Sequence, residues 1–102
     1  MTPRCFLAPF SEKPCEGQLI KAHLIRRQVL MRELGGLKGR LAIQDPRSWV
    51  PACGGITGCS GHHGMLDVSR TLRIPWEALP PPFIELVEEL GLMWWVCREY
   101  QR

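Results

Sequence analysis

Apolar and polar positions repeat with helical spacing in more than one part of the chain. The first such part lies between residues 25 and 37, where Ile25, Val29, Leu30 and Leu34 recur on one helix face. A pair of glycines follows Leu34, and this pair predicts the end of the helix.

The clearest amphipathic helix is predicted near the C-terminus. Its apolar face consists of Phe83, Leu86, Val87 and Leu90, whereas Glu85, Glu88 and Glu89 lie away from that face. Three prolines precede this helix as a stiff spacer, and Gly91 closes it. The aromatic tail that follows is predicted to pack back on the core, with Cys97 as a buried thiol.

Extended segments are predicted mainly in the first half of the chain. Residues 18–25 suit a short strand or a hairpin, and residues 49–52 suit an extended apolar segment. Residues 37–43 are predicted to hold a brief extended piece. A turn at Asp45–Pro46 leads into the second strand, because Asp and Pro are favoured at its first two positions.

One more helix is predicted after the second strand. It begins near His62–His63 and runs through Leu72, and Ile74–Pro75 ends it because a residue before proline avoids the helical region. Residues 76–79 are predicted to form one further turn. Together these elements predict a small α+β fold.

The composition is that of an ordinary globular protein. The chain has 102 residues, of which 45% are hydrophobic and 23% are charged. We therefore predict one domain over residues 1–102, with its core in 5–74 and a C-terminal helix and aromatic tail in 80–102. No apolar run is long enough to cross a bilayer, which predicts no membrane partner. The N-terminus lacks the apolar core of a secretory signal, so a cytoplasmic location is expected.

The basic residues are unevenly distributed. The net charge of +3 is too small to indicate nucleic-acid binding by itself. Basic side chains nevertheless crowd the first half, where they ordinarily form a solvated helix face but can also contact the phosphates of DNA. The candidates for DNA contact are Arg26, Arg27, Arg32, Lys38 and Arg40.

A stretch rich in cysteine and glycine, CGGITGCSGHHGMLD over residues 53–67, is the most unusual part of the sequence. The chain has five cysteines, and without an export signal these are metal ligands or buried thiols rather than disulfides. Four thiolates would form a closed tetrahedral zinc site. The four candidates are Cys5, Cys15, Cys53 and Cys59, with His62 as a substitute for one sulfur. The alternative is a set of scattered buried cysteines that behave as small hydrophobes.

A second candidate site combines His23 with His63 and Asp67. Hydrolysis of a phosphodiester needs a base that deprotonates water and a cation that neutralises charge on the phosphate. One histidine can be that base, and a second histidine with a carboxylate can hold a divalent ion. The alternative is that His23 is an ordinary strand histidine and that His62–His63 is a polar helix start.

These segments resemble the HNH endonucleases, the family with the ββα-metal or His-Me finger fold. The resemblance lies in AHLIRRQ at 22–28, SWVPAC at 48–53 and GHHG at 61–64, and the chain is similar to small HNH-type proteins of actinobacterial phages. It implies a zinc-stapled ββα-metal domain, treble-clef-like, with an added C-terminal helix. It also implies cleavage of DNA, with His23 as general base and His63 as ligand of Mg²⁺ or Mn²⁺. The expected partners are DNA and a homodimer or larger phage assembly, in the cytoplasm of the host.

Two positions depart from the family pattern. Ala22 stands where the family usually has an acidic residue or a second histidine that binds the metal, and Ser48 stands at the asparagine position. The alternative function is therefore a catalytically degenerate zinc-stapled module that binds DNA or protein. A further alternative is a small protein-interaction domain that uses the surface of Trp76, Trp94 and Trp95.

Overall fold

The computed structural model describes residues 4–54, 61–67 and 72–100. Two strands and five α-helices are found in these ranges, together with short 3-10 turns, so the predicted small α+β fold is confirmed. The strands are β1 (Leu19–His23) and β2 (Trp49–Cys53). The α-helices are α1 (Arg27–Leu34), α2 (Gly36–Gln44), α3 (Gly61–Asp67), α4 (Pro81–Leu90) and α5 (Met93–Glu99). The 3-10 turns are Ala8–Phe10, Pro46–Ser48 and Trp76–Ala78.

The two strands form an antiparallel pair that encloses α1 and α2 in its connection. Backbone bonds flank the pair at both ends, from Leu24 N–H to the Ser48 carbonyl (3.0 Å) and from Gly54 N–H to the Gln18 carbonyl (3.1 Å). This register places Ala22, whose side chain is fully buried, opposite Val50.

The extended piece predicted at 37–43 is wrong, because these residues belong to helix α2. The buried positions of α2 are Gly39 and Ala42, whereas Leu37 and Leu41 are 68% and 57% exposed. A Cβ at Gly39 would lie 2.9 Å from the Met31 Sδ, so α2 approaches α1 through a small residue. Helix α2 thus buries its small residues and exposes its leucines, the reverse of an ordinary amphipathic helix. Packing against α1, and not hydrophobic periodicity, accounts for the helix at these residues.

Helix α4 agrees with the sequence pattern, whereas the tail forms a second helix, α5, that the pattern did not predict. Helix α4 buries Phe83, Leu86 and Val87 and ends at Gly91, which has φ = 72°. In α5, Trp95 and Val96 are buried, but Cys97 is exposed, so its prediction as a core thiol is wrong. The tail is helical, and successive helical side chains point about 100° apart, which turns Cys97 away from the buried face.

The chain divides into two compact units. The first unit comprises Met1–Ala22 and Val50–Ile74, and the second comprises His23–Trp49 and Pro75–Arg102. The first unit contains most of the two-stranded ladder and α3. The second contains α1, α2, α4 and α5, where α4 packs against α5 and against the 3-10 turn at Pro46–Ser48.

Within the described ranges, every helix is too short or too polar to traverse a lipid bilayer.

Candidate metal centre

Three thiols and one imidazole meet in the first unit. The Sγ atoms of Cys53, Cys5 and Cys15 lie 3.1, 3.4 and 3.6 Å from the Nδ1 atom of His62. All four donor atoms lie within 4.8 Å of one another. In a tetrahedral zinc site with ordinary zinc–ligand bond lengths, sulfur and nitrogen ligands lie about 3.5 Å apart. The four side chains therefore fit a structural Zn²⁺ ion, and we call them the Cys3His cluster.

Separate segments of the chain supply these ligands. Cys53 ends β2, and His62 is the second residue of α3. Cys5 lies in the N-terminal segment, which is tied to β2 because the Phe6 N–H donates to the Pro51 carbonyl at 2.7 Å. Cys15 is exposed in the loop before β1. The cluster therefore joins segments that share little regular secondary structure.

Glycine is required where α3 enters the cluster. Gly61 has φ = 61°, a conformation that side chains rarely adopt. A Cβ atom there would lie 2.7 Å from the carbonyl oxygens of Cys53 and Glu16. The absence of a side chain thus lets the start of α3 approach both cysteine-bearing segments and brings His62 to the sulfurs.

Hydrogen bonds around the cluster orient its ligands. The His62 Nε2 atom lies 2.9 Å from the Lys13 carbonyl oxygen, which places the proton on Nε2 and leaves Nδ1 to face the sulfurs. Backbone N–H groups donate to two sulfurs, from Cys53 to Cys5 Sγ (3.3 Å) and from His62 to Cys53 Sγ (3.2 Å). Such bonds favour the thiolate, which is the form that binds metals.

The two thiols whose pKa values shift respond in opposite directions. Burial raises the pKa of Cys53, but the backbone hydrogen bonds from His62 and Glu16, together with hydrogen bonds from the Cys15 and Cys5 thiols, lower the pKa below its ordinary value. Desolvation, then the neighbouring Cys53 and Cys5 thiols, raise the pKa of Cys15 to about 11. Thiols crowded in this way repel one another when ionised, and a divalent cation among them would stabilise the ionised forms.

The predicted zinc ligands are therefore met in part. Cys5, Cys15 and Cys53 come together, and His62, predicted as the substitute ligand, completes the set. Cys59 lies outside the described residues. The sequence pointed to His62 as a ligand only through its position beside His63 at a glycine-rich helix start. Its burial, at 1% exposed, is a property of the fold that the local sequence does not reveal.

The structure describes the surroundings of two of the predicted catalytic-site residues, His23 and His63. His23 ends β1 in the second unit, where its Nε2 atom lies 3.0 Å from the Ile43 carbonyl oxygen. Its ring meets Trp49 edge-on, with 5.5 Å between ring centroids. His63 is half-buried in α3, next to His62. The Asp67 side chain lies outside the described part of the chain, so a site that joins these residues stays a prediction.

Ser48 is one of the few polar residues that the structure buries in its described part, at 2% exposed. Its hydroxyl donates to the Asp45 carbonyl (2.6 Å) and lies 3.4 Å from the Ile43 carbonyl. The Ile43 carbonyl is also the partner of the His23 ring. Ser48 therefore bonds within the same turn whose Ile43 carbonyl contacts the His23 ring.

The basic residues predicted to contact DNA lie on or beside α1 and α2. Arg26 is half-buried, and the others are exposed. Arg32 contacts the neighbouring Glu33 at 3.3 Å, an exposed pair that contributes little to stability. The exposed members are Arg27, Arg32, Lys38 and Arg40.

Comparison with known proteins gives no match to any family model, curated protein or solved structure. Inference about function therefore begins from the chain's own side chains.

Proposed function

We propose that the chain is a metal-dependent DNA endonuclease of the HNH type, stabilised by a structural zinc ion. The observation that carries this proposal is the Cys3His cluster, with His63 adjacent to the ligand His62. Four protein ligands make a closed site, which suits structure and leaves no position for substrate. A catalytic ion would therefore need other ligands, and His63 with Asp67 is the candidate set.

The adjacency of the two histidines gives His63 a fixed position. The ring of His62 contacts the sulfurs through Nδ1 and the Lys13 carbonyl through Nε2. Its backbone is held as well, because the His62 N–H donates to the Cys53 Sγ atom. Consecutive helical side chains point about 100° apart, so the His63 side chain leaves α3 in a different direction from that of His62. Along the chain, β1 is followed by helices α1 and α2, then by β2 and α3. The antiparallel pair of β1 and β2, followed by α3 with His63 in it, is what supports the ββα-metal form of the α+β fold.

His23 has the hydrogen bonding that a general base needs. Its Nε2 atom lies 3.0 Å from the Ile43 carbonyl, which can only accept a hydrogen bond, so Nε2 carries the proton. In the neutral ring the lone pair is then on Nδ1, which would take a proton from the attacking water. A divalent ion held by His63 and Asp67 would supply neutralisation of the phosphate and of the departing oxygen. The basic side chains of α1 and α2 would contact the DNA backbone.

The second candidate is a zinc-stapled module that binds DNA or protein without cleaving it. Ala22 favours this candidate, because it is fully buried and offers no ligand atom at a position where the family binds metal. The module would bind DNA in a salt-dependent manner through the same basic residues, because that binding releases counterions.

Nicking of supercoiled plasmid in Mg²⁺ or Mn²⁺ tests the proposal. We expect the wild-type protein to nick DNA, and we expect His23→Ala to lose about 10²- to 10⁴-fold in rate because the base is gone. His23→Ala should keep its zinc, since His23 is outside the Cys3His cluster. Equal rates for the two proteins would remove His23 from the mechanism. Salt-dependent binding with no nicking by the wild type would favour the second candidate.

A further inference from the structure

Tyr100, the only tyrosine of the chain, donates its hydroxyl to the backbone carbonyl of Leu24. It follows α5 and is 8% exposed. A buried tyrosine hydroxyl needs a hydrogen-bond partner, but many carbonyls could supply one. This one belongs to the residue directly after His23.

Leu24 is held on its other side as well. Its N–H donates to the Ser48 carbonyl at 3.0 Å, and its side chain is 1% exposed. The bond to Ser48 continues the register of the strand pair one residue past β1, whereas Tyr100 supplies the partner of the Leu24 carbonyl. Both polar groups of Leu24 are therefore fixed by residues distant in sequence.

The His23 ring belongs to the same network. Its partner, the Ile43 carbonyl, also lies 3.4 Å from the Ser48 hydroxyl. The Ser48 hydroxyl thus bonds within the turn that contacts the His23 ring, and the Ser48 carbonyl accepts from the peptide that follows His23. Tyr100 bonds to the next peptide, the one between Leu24 and Ile25.

We infer that Tyr100 is a positioning residue for His23. Its hydroxyl fixes the peptide after Leu24, while Ser48 fixes the peptide before it. The two bonds together hold the backbone of Leu24, and through it the backbone from which the His23 side chain leaves. The catalytic part of this inference rests on the proposed function, because His23 must be the general base. The C-terminal segment then holds the base in place besides covering the core.

The test is Tyr100→Phe, which removes one oxygen and keeps the ring that meets Trp95 at a centroid distance of 6.3 Å. We expect kcat for nicking to fall about 10- to 100-fold, since small displacements of a catalytic group have effects of this size. KM should change little, because the basic side chains of α1 and α2 are untouched. The NMR signals of the His23 ring should shift, and those of His62 and His63 should not.

Ser11→Ala is the matched control. It also removes one hydroxyl, which contacts the Met65 sulfur and the Lys13 N–H in the first unit. We expect it to leave kcat and the His23 ring signals unchanged. Incorporation of 3-fluorotyrosine gives a second measurement that keeps the hydroxyl. Since the chain has one tyrosine, only Tyr100 is replaced, and the fluorine makes its hydroxyl a stronger hydrogen-bond donor. The His23 ring signals should shift there too.

The outcomes separate this inference from the proposed function. If the wild type nicks DNA and His23→Ala does not, a fully active Tyr100→Phe with unchanged His23 signals overturns the positioning role alone. If the wild type does not nick DNA, the proposed function fails. The NMR signals then decide whether Tyr100 orients His23: shifted signals sustain the inference, and unchanged signals in both Tyr100→Phe and the fluorotyrosine protein overturn it.

Discussion

The two compact units differ in what lies at their centres. The first unit gathers three thiols and an imidazole, and its described helix, α3, has seven residues. The second unit buries large apolar side chains from helices α1, α4 and α5, among them Phe83, Val87 and Trp95. Burial of apolar area can stabilise the second unit in plain water. The Cys3His cluster of the first unit fits a cation whose binding would stabilise that unit in a different way. We therefore expect the two units to respond differently to the same treatments.

Removal of the metal should have the largest effect. Cys53→Ser, or a chelator, should abolish zinc binding and unfold the first unit, because the binding free energy of a structural zinc is about 10–16 kcal/mol in small zinc domains. The second unit should keep its helices. Elemental analysis, circular dichroism and hydrogen exchange measure these outcomes.

Cys97→Ser is the control for this experiment, since Cys97 is exposed and outside the cluster. It should retain about one zinc ion per chain, as expected for one tetrahedral site. The opposite outcome would be wild-type protein that contains no zinc while the first unit stays protected from hydrogen exchange. It would show that the first unit does not depend on a metal for its stability.

Truncation of the apolar centre should have the next largest effect. Phe83→Ala should lower the free energy of unfolding of the second unit by about 3–5 kcal/mol, through lost burial and the cavity left behind. Zinc content should not change. Denaturant titration followed by helical circular dichroism measures this loss, with Leu37→Ala as control, because a 68% exposed leucine should matter by less than about 0.5 kcal/mol. A comparable loss in both variants would contradict the burial pattern of the second unit.

The smallest effect concerns the turn before β2. The Asp45 carboxylate accepts from the Arg47 backbone N–H and guanidinium, both at 2.9 Å. The Arg47 side-chain hydrogen bond is the main cause that holds the pKa of Asp45 below its ordinary value. Asp45→Asn should therefore lower the free energy of unfolding by about 0.5–1 kcal/mol at neutral pH, as for other partly exposed ion pairs.

The pH dependence of that difference follows from its sign. A carboxyl whose pKa is lowered by folding stabilises the fold above its unfolded pKa of about 3.9, and the contribution is lost as the pH falls through the folded value. Wild type and Asp45→Asn should differ most near neutrality and converge in strong acid. Denaturant midpoints across this range measure the difference. A gap that persists in acid would show that the ion pair is not its cause.

The sequence predicted those features that depend on local pattern. Helix α4 was predicted because its apolar face is continuous, and β2 because its residues are apolar between turn signals. Helix α2 was not, since Gly39 and Ala42 face inwards and its leucines face outwards. That arrangement depends on the approach of α1, which periodicity does not contain.

The ligand set shows the same limit. Three cysteines of the Cys3His cluster were among the four predicted zinc ligands because thiolates are the usual ligands of a structural zinc ion. His62 was predicted only as an alternative ligand, because nothing local to residues 61–64 states which imidazole turns towards the sulfurs. The meeting of segments near residues 5, 15, 53 and 62 is a long-range property, and spacing alone could not establish it. Whether His23 and His63 share an ion stays a prediction for the same reason.

The order of the metal ligands along the chain has a consequence for biosynthesis. Residues His23–Trp49 of the second unit are inserted between the segments that carry Cys15 and Cys53. A bound ion therefore closes a ring of roughly forty residues, which removes conformational freedom from the unfolded chain much as a covalent cross-link does. During translation the full set of four ligands cannot be assembled until His62 has left the ribosome. Helices α1 and α2 leave the ribosome before that moment. We therefore expect the inserted segment to be synthesised while the Cys3His cluster is still incomplete.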